Sequence, residues 1–365
     1  MSRFLLQRLT ALAPYEPGEQ PLGKNVVKLN TNENPFPPSP KVLEALDRAA
    51  ILRLNRYPDP AKGALREALA KAYGLRAENV FVGNGSDEVL GFAFMAYTDE
   101  SRGVTFPEVS YGFYQVYARL FRAEATTPPL NADFSLPVER FLRQGHMVAL
   151  ANPNAPTGLA LPLAALERII AENLDSIVLI DEAYIDFGGE SCLELLKRYD
   201  NLLIVRTFSK SRSLAGGRLG FALASPEIVE DLTRVCNSFH PYSVNALTLA
   251  AGVAAVEDEG YLRACVDKVC RQREQSKREL RALGFTVTDS ATNFLFAAPN
   301  RMRGEAYYQA LKERGVLVRH FGGHGLDGYV RITVGSREDM ERLMEETRAI
   351  FATLPQNMEQ GGAKA

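Results

Sequence analysis

The chain has 365 residues, 46% of them apolar and 24% charged, with a formal net charge of −2. That balance describes an ordinary folded chain long enough for two domains; basic and acidic residues are mixed along it, with no sign of the clustered basic face a nucleic-acid binder needs, and no apolar run reaches the length of a membrane span. Four cysteines, Cys192, Cys236, Cys265 and Cys270, suit neither a zinc knuckle nor a disulfide framework, so they read as small apolar fillers in a reducing, cytoplasmic compartment.

The first residues, "MSRFLLQRLTALAPYEPG", carry an apolar patch, but Arg8 interrupts it and no small-residue cleavage pattern follows; a signal peptide is not expected. From about residue 80 to 225 short apolar runs alternate with helical stretches. "NVFVGNGSDEVLGFAFMAY" reads as a strand, a glycine turn and a helix start. "HMVALANPNAPTG" is a strand entering a polar loop, and "LPLAALERIIAENL" an amphipathic helix. "SIVLIDEAY", "NLLIVRTFSK" and "RLGFALASP" are further strands, apolar enough to be buried on both faces of a parallel sheet. The alternation predicts an α/β fold, a mostly parallel sheet flanked by helices. After about residue 255, "DEGYLRACVDKVCRQREQSKRELRALG" predicts one long helix stopped at Gly284. Strands "FTVTDS", "NFLFAAP", "VLVRHF" and "YVRITVG" follow, with helix "GEAYYQALKERG" among them, and Ser336 with Asp339 predicts a capping box on a last helix. This is a second, smaller α/β domain. The final "NMEQGGAKA" reads as a disordered tail.

Chemistry-bearing residues recur at strand ends in a fixed order: Asn154 in "NPNAPTG", Asp181 and Tyr184 in "IDEAY", Lys210 in "FSKS", and Arg218 in "GGRLG". Loops at the carboxyl ends of strands in an open α/β sheet meet in one crevice, so residues distant in sequence converge there. Upstream, "GNGSDE" supplies a glycine turn with Ser86 and Asp87 opening a helix, either a backbone anion cup or a plain helix cap. It lacks the lysine of a P-loop and does not complete a dinucleotide fingerprint.

These motifs, with "LNTNENPFPPSP", "NRYPDP", "ATNFLFA" and "VRITVG", resemble those of the fold-type-I pyridoxal-phosphate aminotransferases, and within them the histidinol-phosphate branch. The resemblance runs over nearly the whole chain. It implies an N-terminal arm (1–29) packing on the small domain and substrate site, a large pyridoxal 5'-phosphate-binding domain (30–255), a small C-terminal domain (256–354) and a tail (355–365). It further implies that Lys210 bonds to the cofactor aldehyde and, once displaced, carries a proton. Asp181 would face the pyridine nitrogen and keep it protonated. Asn154 and Tyr184 would hydrogen-bond the phenolic oxygen. Thr207, Ser209 and Arg218 would grip the phosphate with the backbone N–H groups of Ser86 and Asp87, Gly216 and Gly217 letting the chain bend so that Arg218 returns to the site. Tyr111 resembles the aromatic that stacks on the ring, with Tyr114 its rival. Tyr57 would reach the phosphate of a neighbouring subunit, which requires a symmetric homodimer.

At the substrate end, Arg331 resembles the clamp on an α-carboxylate, Arg319 the residue that meets a substrate phosphate, and Tyr15 a further contact. "HFGGHGLDGYV" between the arginines reads as a glycine-rich lid. His320 and His324, four apart there, have neither a helical pattern nor a third ligand, so no metal is expected. The implied reaction is transamination between L-histidinol phosphate and 2-oxoglutarate, with no membrane or nucleic-acid partner. An aromatic or broad-specificity aminotransferase of the same branch and a threonine-phosphate-decarboxylase-like lyase share these motifs and stay open. A cofactor-binding regulator is disfavoured, because only about thirty residues precede "LNTNENP", fewer than a winged helix needs.

Overall fold

The computed structural model describes residues 2–10, 12, 18–20 and 26–355. Its strands are β1 (Val27–Lys28), β2 (Val80–Gly83), β3 (Val104–Thr105), β4 (Ala125–Thr126), β5 (Met147–Ala151), β6 (Val178–Asp181), β7 (Leu202–Thr207), β8 (Gly220–Ala224), β9 (Phe285–Val287), β10 (Phe294–Pro299), β11 (Val316–Leu317), β12 (Arg319–His320) and β13 (Val330–Thr333). A seven-stranded sheet has the order β2-β8-β7-β6-β5-β3-β4.

Side chains along its strands alternate between two cores. Val148 and Leu150 of β5, Val178 and Ile180 of β6, and Leu202 and Ile204 of β7 face one side. Ala149, Leu179, Leu203 and Val205 face the other. Helices cover both faces, which is why the strands read as unbroken apolar runs. The 86–97 and 113–121 helices share the second core, and the 63–73 and 163–171 helices the first.

One strand departs from the expected direction. β8 runs antiparallel to both β7 and β2, while the other neighbouring pairs are parallel. No helix lies between β7 and β8, so the chain turns back on itself instead of making the crossover that parallel pairing needs. The carboxyl ends of the other six strands and the amino end of β8 thus share one edge of the sheet.

The later residues build a four-stranded antiparallel sheet, β12-β13-β10-β9, over a separate core that includes Leu295, Tyr307, Ile332 and Phe351. The segment expected as one strand, "VLVRHF", divides: Val316–Leu317 pairs in parallel with β1 near the N-terminus, and Arg319–His320 joins the four-stranded sheet. The long helix spans Glu259–Ala282, Gly284 follows at φ 87°, and Ser336 with Asp339 forms a capping box on the Arg337–Ala352 helix. Among the described residues no helix is long and apolar enough to cross a membrane. The final residues 356–365 lie outside the described ones.

Candidate active site

At the shared sheet edge the loops after β2, β6 and β7 and the start of β8 surround a cavity of about 230 Å³. It is lined by Ser86, Asp87, Tyr111, Asp181, Tyr184, Thr207, Ser209, Lys210 and Arg218, together with Thr31, Glu33, Ala155 and Ala183. A second cavity of about 540 Å³ adjoins it and holds Arg319 and Arg331. Lys210 and Tyr184 line both.

One end of the first cavity is a helix start faced by an arginine. Gly85, at φ 86°, precedes the 86–97 helix, and no side chain caps that helix start. A Cβ on Gly85 would lie 2.6 Å from Arg218 Nη2, and one on Gly220 only 2.3 Å from the Ser86 backbone nitrogen. Both glycines are therefore required for the arginine strand to press against the helix start. Arg218 Nη2 donates to Asp87 Oδ2 at 2.8 Å, and the Tyr111 hydroxyl donates to Asp87 Oδ1 at 2.6 Å. Arg218 Nη1 lies 3.4 Å from Ser209 Oγ. The Arg218–Asp87 pair is half exposed, so its worth is orientation more than stability. Gly216 and Gly217 lie in the expected turn, the Gly217 N–H donating to Leu214 O at 3.0 Å, but neither takes a left-handed φ. The left-handed residues of this loop are Ser213 at φ 56° and Arg218 at φ 49°, and the close approach rests on Gly220.

Asp181 ends β6 on the face of the sheet that also carries Leu179. One of its carboxylate oxygens accepts from the Ala183 N–H at 3.1 Å and the other from the Tyr114 hydroxyl at 3.2 Å. Burial pushes its pKa from the ordinary 3.8 up to about 7, and the two donors oppose that rise. A cationic ring nitrogen beside it would reverse the shift. The folded protein thus holds a proton that the unfolded chain releases from about pH 4 upward. Its contribution to stability is full below about pH 4 and is lost as pH rises through about 7. In thermal melts of the cofactor-free protein, the wild type should lose stability against Asp181→Asn across that window; parallel curves would contradict this.

Tyr114 is fully buried and bonded to Asp181, whereas Tyr111 lines the cavity, so Tyr111 is the ring available to a ligand. Burial first, then the Asp87 carboxylate, holds the Tyr111 phenol protonated. Asn154 is not among the residues lining this cavity. Its Nδ2 donates to Val109 O at 3.1 Å and Thr157 Oγ1 at 3.0 Å, and its Oδ1 accepts from Ser110 Oγ at 2.9 Å. The residue of "NPNAPTG" that faces the cavity is Ala155, whose side chain has no donor to offer. The expected contact from Asn154 is corrected on that ground. Tyr57 also stands apart, 83% exposed and stacked on Tyr242 at 4.7 Å. Tyr15 lies outside the described residues.

In the larger cavity, Arg319 and Arg331 are directly opposite one another on β12 and β13. Each guanidinium lies near the Phe321 ring, at 5.9 and 5.5 Å from its centroid. Like charges in that position repel, and an anionic ligand relieves the repulsion. Arg331 Nη2 also donates to Asn30 O at 3.1 Å. His320 and His324 turn to different partners, the Asp327 carbonyl at 3.1 Å and the Glu108 carboxylate at 2.8 Å. Among the described residues no cluster of His, Cys, Asp and Glu could hold a metal ion.

Sequence reasoning missed the residues of "LNTNENP" that border Lys210. Lys210 Nζ lies 3.5 Å from Thr31 O. Asn32 Nδ2 donates to the Tyr184 hydroxyl at 2.9 Å. Burial acts to raise the Glu33 pKa, but the Lys28 ammonium and Thr31 hydroxyl, at 2.7 and 2.8 Å, outweigh it and keep Glu33 ionised. The motif's density of polar residues just after a short strand was the available signal.

The family profile for aminotransferase class I and II matches residues 24–346. A protein named histidinol-phosphate aminotransferase from Marinomonas sp. (strain MWYL1) is 49% identical over 346 residues, covering 94% of this chain and 98% of its own. One of the same name from Brachyspira hyodysenteriae is 44% identical over 352 residues, covering 96% and 99%. The crystal structure of histidinol-phosphate aminotransferase from Sinorhizobium meliloti in complex with pyridoxal-5'-phosphate has a TM-score of 0.83 at 24% identity, over 96% of this chain and 99% of that one, a likeness of fold.

Proposed function

Because this chain belongs to the aminotransferase class I and II family, we infer that it transfers an amino group from L-histidinol phosphate to 2-oxoglutarate, giving imidazole-acetol phosphate and L-glutamate in the synthesis of L-histidine. The observation that carries the reading is the position of Lys210, in the wall shared by a cavity that ends on a helix start and Arg218 and a cavity with paired arginines.

The residues present fit pyridoxal 5'-phosphate. The helix start at Ser86 and Asp87, with Thr207, Ser209 and Arg218, suits its phosphate; the Asp181 carboxyl suits its ring nitrogen; Tyr111 and Ala183 leave space for a flat ring; and Lys210 is the amine for its aldehyde. When bound, the group supplies an electron sink for the bond broken at the substrate Cα. Lys210 Nζ would hold the cofactor aldehyde and, once released from it, would take the proton from the substrate Cα. Asp181 would keep a proton on the ring nitrogen. Tyr184 would donate to the ring oxygen, while Asn154 shapes the loop beside the cavity.

L-histidinol phosphate has no α-carboxylate; its phosphate ester stands in that region. Arg331 therefore meets a carboxylate in the 2-oxoglutarate and glutamate half of the cycle, and Arg319 is assigned the phosphate of the other half. A symmetric homodimer completes the proposal, with Tyr57 reaching the partner's phosphate cup. Tyr57, Leu54 and Tyr242 line one surface groove, and Leu52 and Phe239 are 69% and 71% exposed, apolar surface of the kind that a contact face covers. All four cysteines are unpaired, which suits the cytoplasm.

A substrate panel tests the assignment. With pyridoxal 5'-phosphate and 2-oxoglutarate present, histidinol phosphate should be turned over far faster than phenylalanine. Equal rates would end the narrow assignment in favour of a broad aromatic aminotransferase. Carbon dioxide release without consumption of 2-oxoglutarate would indicate a lyase.

A further inference from the structure

Tyr184 is held in a way that gives its hydroxyl a direction. A phenol has one hydrogen to donate and accepts through its oxygen. Here the oxygen accepts from Asn32 Nδ2 at 2.9 Å, so the hydroxyl hydrogen points elsewhere. Tyr184 lines the cofactor cavity beside Lys210, whose Nζ lies 5.7 Å from the ring centroid.

Asn32 is itself fixed. Its backbone N–H donates to Thr333 Oγ1 at 2.9 Å, its Oδ1 accepts from that same hydroxyl at 3.2 Å, and its carbonyl accepts from Asn293 Nδ2 at 3.0 Å. The Thr333 hydroxyl thus selects which side of the amide is oxygen and leaves Nδ2 for Tyr184. Asn32 is 2% exposed and sits at φ 55°, a left-handed backbone that asparagine tolerates better than most side chains. Nearby, Ala155 contributes no side-chain donor to the cavity wall, and the Asn154 amide is bonded away from it.

We propose that Asn32 is a positioning residue for Tyr184: by filling the acceptor side of the phenol it aims the hydroxyl hydrogen at the ring oxygen of bound pyridoxal 5'-phosphate, a contact to which neither Ala155 nor Asn154 contributes. This rests on the functional reading above. A donor on that oxygen lowers the basicity of the Lys210–cofactor linkage, so losing the aimed hydrogen raises the pH at which the linkage loses its proton.

The test is a pH titration of the visible absorption of purified holoenzyme. Asn32→Asp keeps the shape and the backbone preference but turns the donor into an acceptor, which draws the Tyr184 hydrogen away from the cavity. Its midpoint should rise by about one pH unit, in the same direction as Tyr184→Phe, and the double variant should move no further than Tyr184→Phe alone. Asn32→Gly, which suits the backbone and carries no amide, should fall between wild type and Asn32→Asp, and it answers the question should the aspartate fail to fold. A midpoint unmoved in a folded Asn32 variant overturns the proposal, as does one that moves equally with phenylalanine at position 184. Wild type that takes up no pyridoxal 5'-phosphate removes the functional reading instead, and is told apart by the lack of any chromophore to titrate.

Discussion

Lys210→Ala should yield a folded protein whose kcat/KM is lower by more than about 10⁴-fold. Lys210 is the one lysine among the described residues lining either cavity, so no neighbouring amine can take over the covalent attachment or the proton at Cα. Folding should survive because the side chain is partly exposed and its nearest bonded group, Thr31 O, is at 3.5 Å, near the outer limit for a hydrogen bond. Thermal melts of wild type and variant should therefore nearly coincide. Borohydride reduction of wild-type holoenzyme followed by peptide mapping should place the cofactor mass on the peptide containing Lys210. A label on any other residue would falsify the catalytic assignment.

Arg319→Ala should divide the two half-reactions. Loss of a charge-assisted partner for a phosphate should slow the half-reaction with histidinol phosphate by about 10²- to 10⁴-fold, while the half-reaction with glutamate, assigned to Arg331, should fall by less than about tenfold. Single-turnover rates for each half give the comparison directly. The close pairing of the two guanidiniums across β12 and β13 makes this demanding, because removing one also relieves repulsion on the other. An equal loss in both halves would mean that the arginines form one undivided anion site, and the assignment of the phosphate to Arg319 would fail.

The order of site residues along the sheet edge was legible because β5, β6 and β7 are buried on both faces, so their apolar runs end abruptly where polar residues begin. Asp181, Thr207 and Lys210 stand at or just beyond such ends. The direction of β8 was not legible, since "GFALA" is apolar read either way and nothing in the run records which edge it starts from. The expectation that Asn154 faces the cavity failed for a related reason. β5 stops at Ala151, and beyond it no two-residue alternation says which side chain turns inward; Ser110, Val109 and Thr157, which capture the Asn154 amide, are contacts made only in three dimensions. Asn32 was hidden by distance, since it meets Tyr184 from 152 positions away. The turn at Gly216 and Gly217 was legible as a glycine pair, but a third glycine was not. The glycine that mattered, Gly220, lies at a strand start and is needed for the neighbour it touches, Ser86.

The reversed strand has a consequence for reach. Were β8 parallel to its neighbours, its first residue would begin at the opposite rim of the sheet. Arg218 would then be displaced by the length of the five-residue strand, about 17 Å at the usual rise, well beyond the span of a guanidinium side chain. Running backward, the chain leaves the rim with Lys210 and re-enters it with Arg218, so one short excursion brings both side chains to the wall of a single cavity.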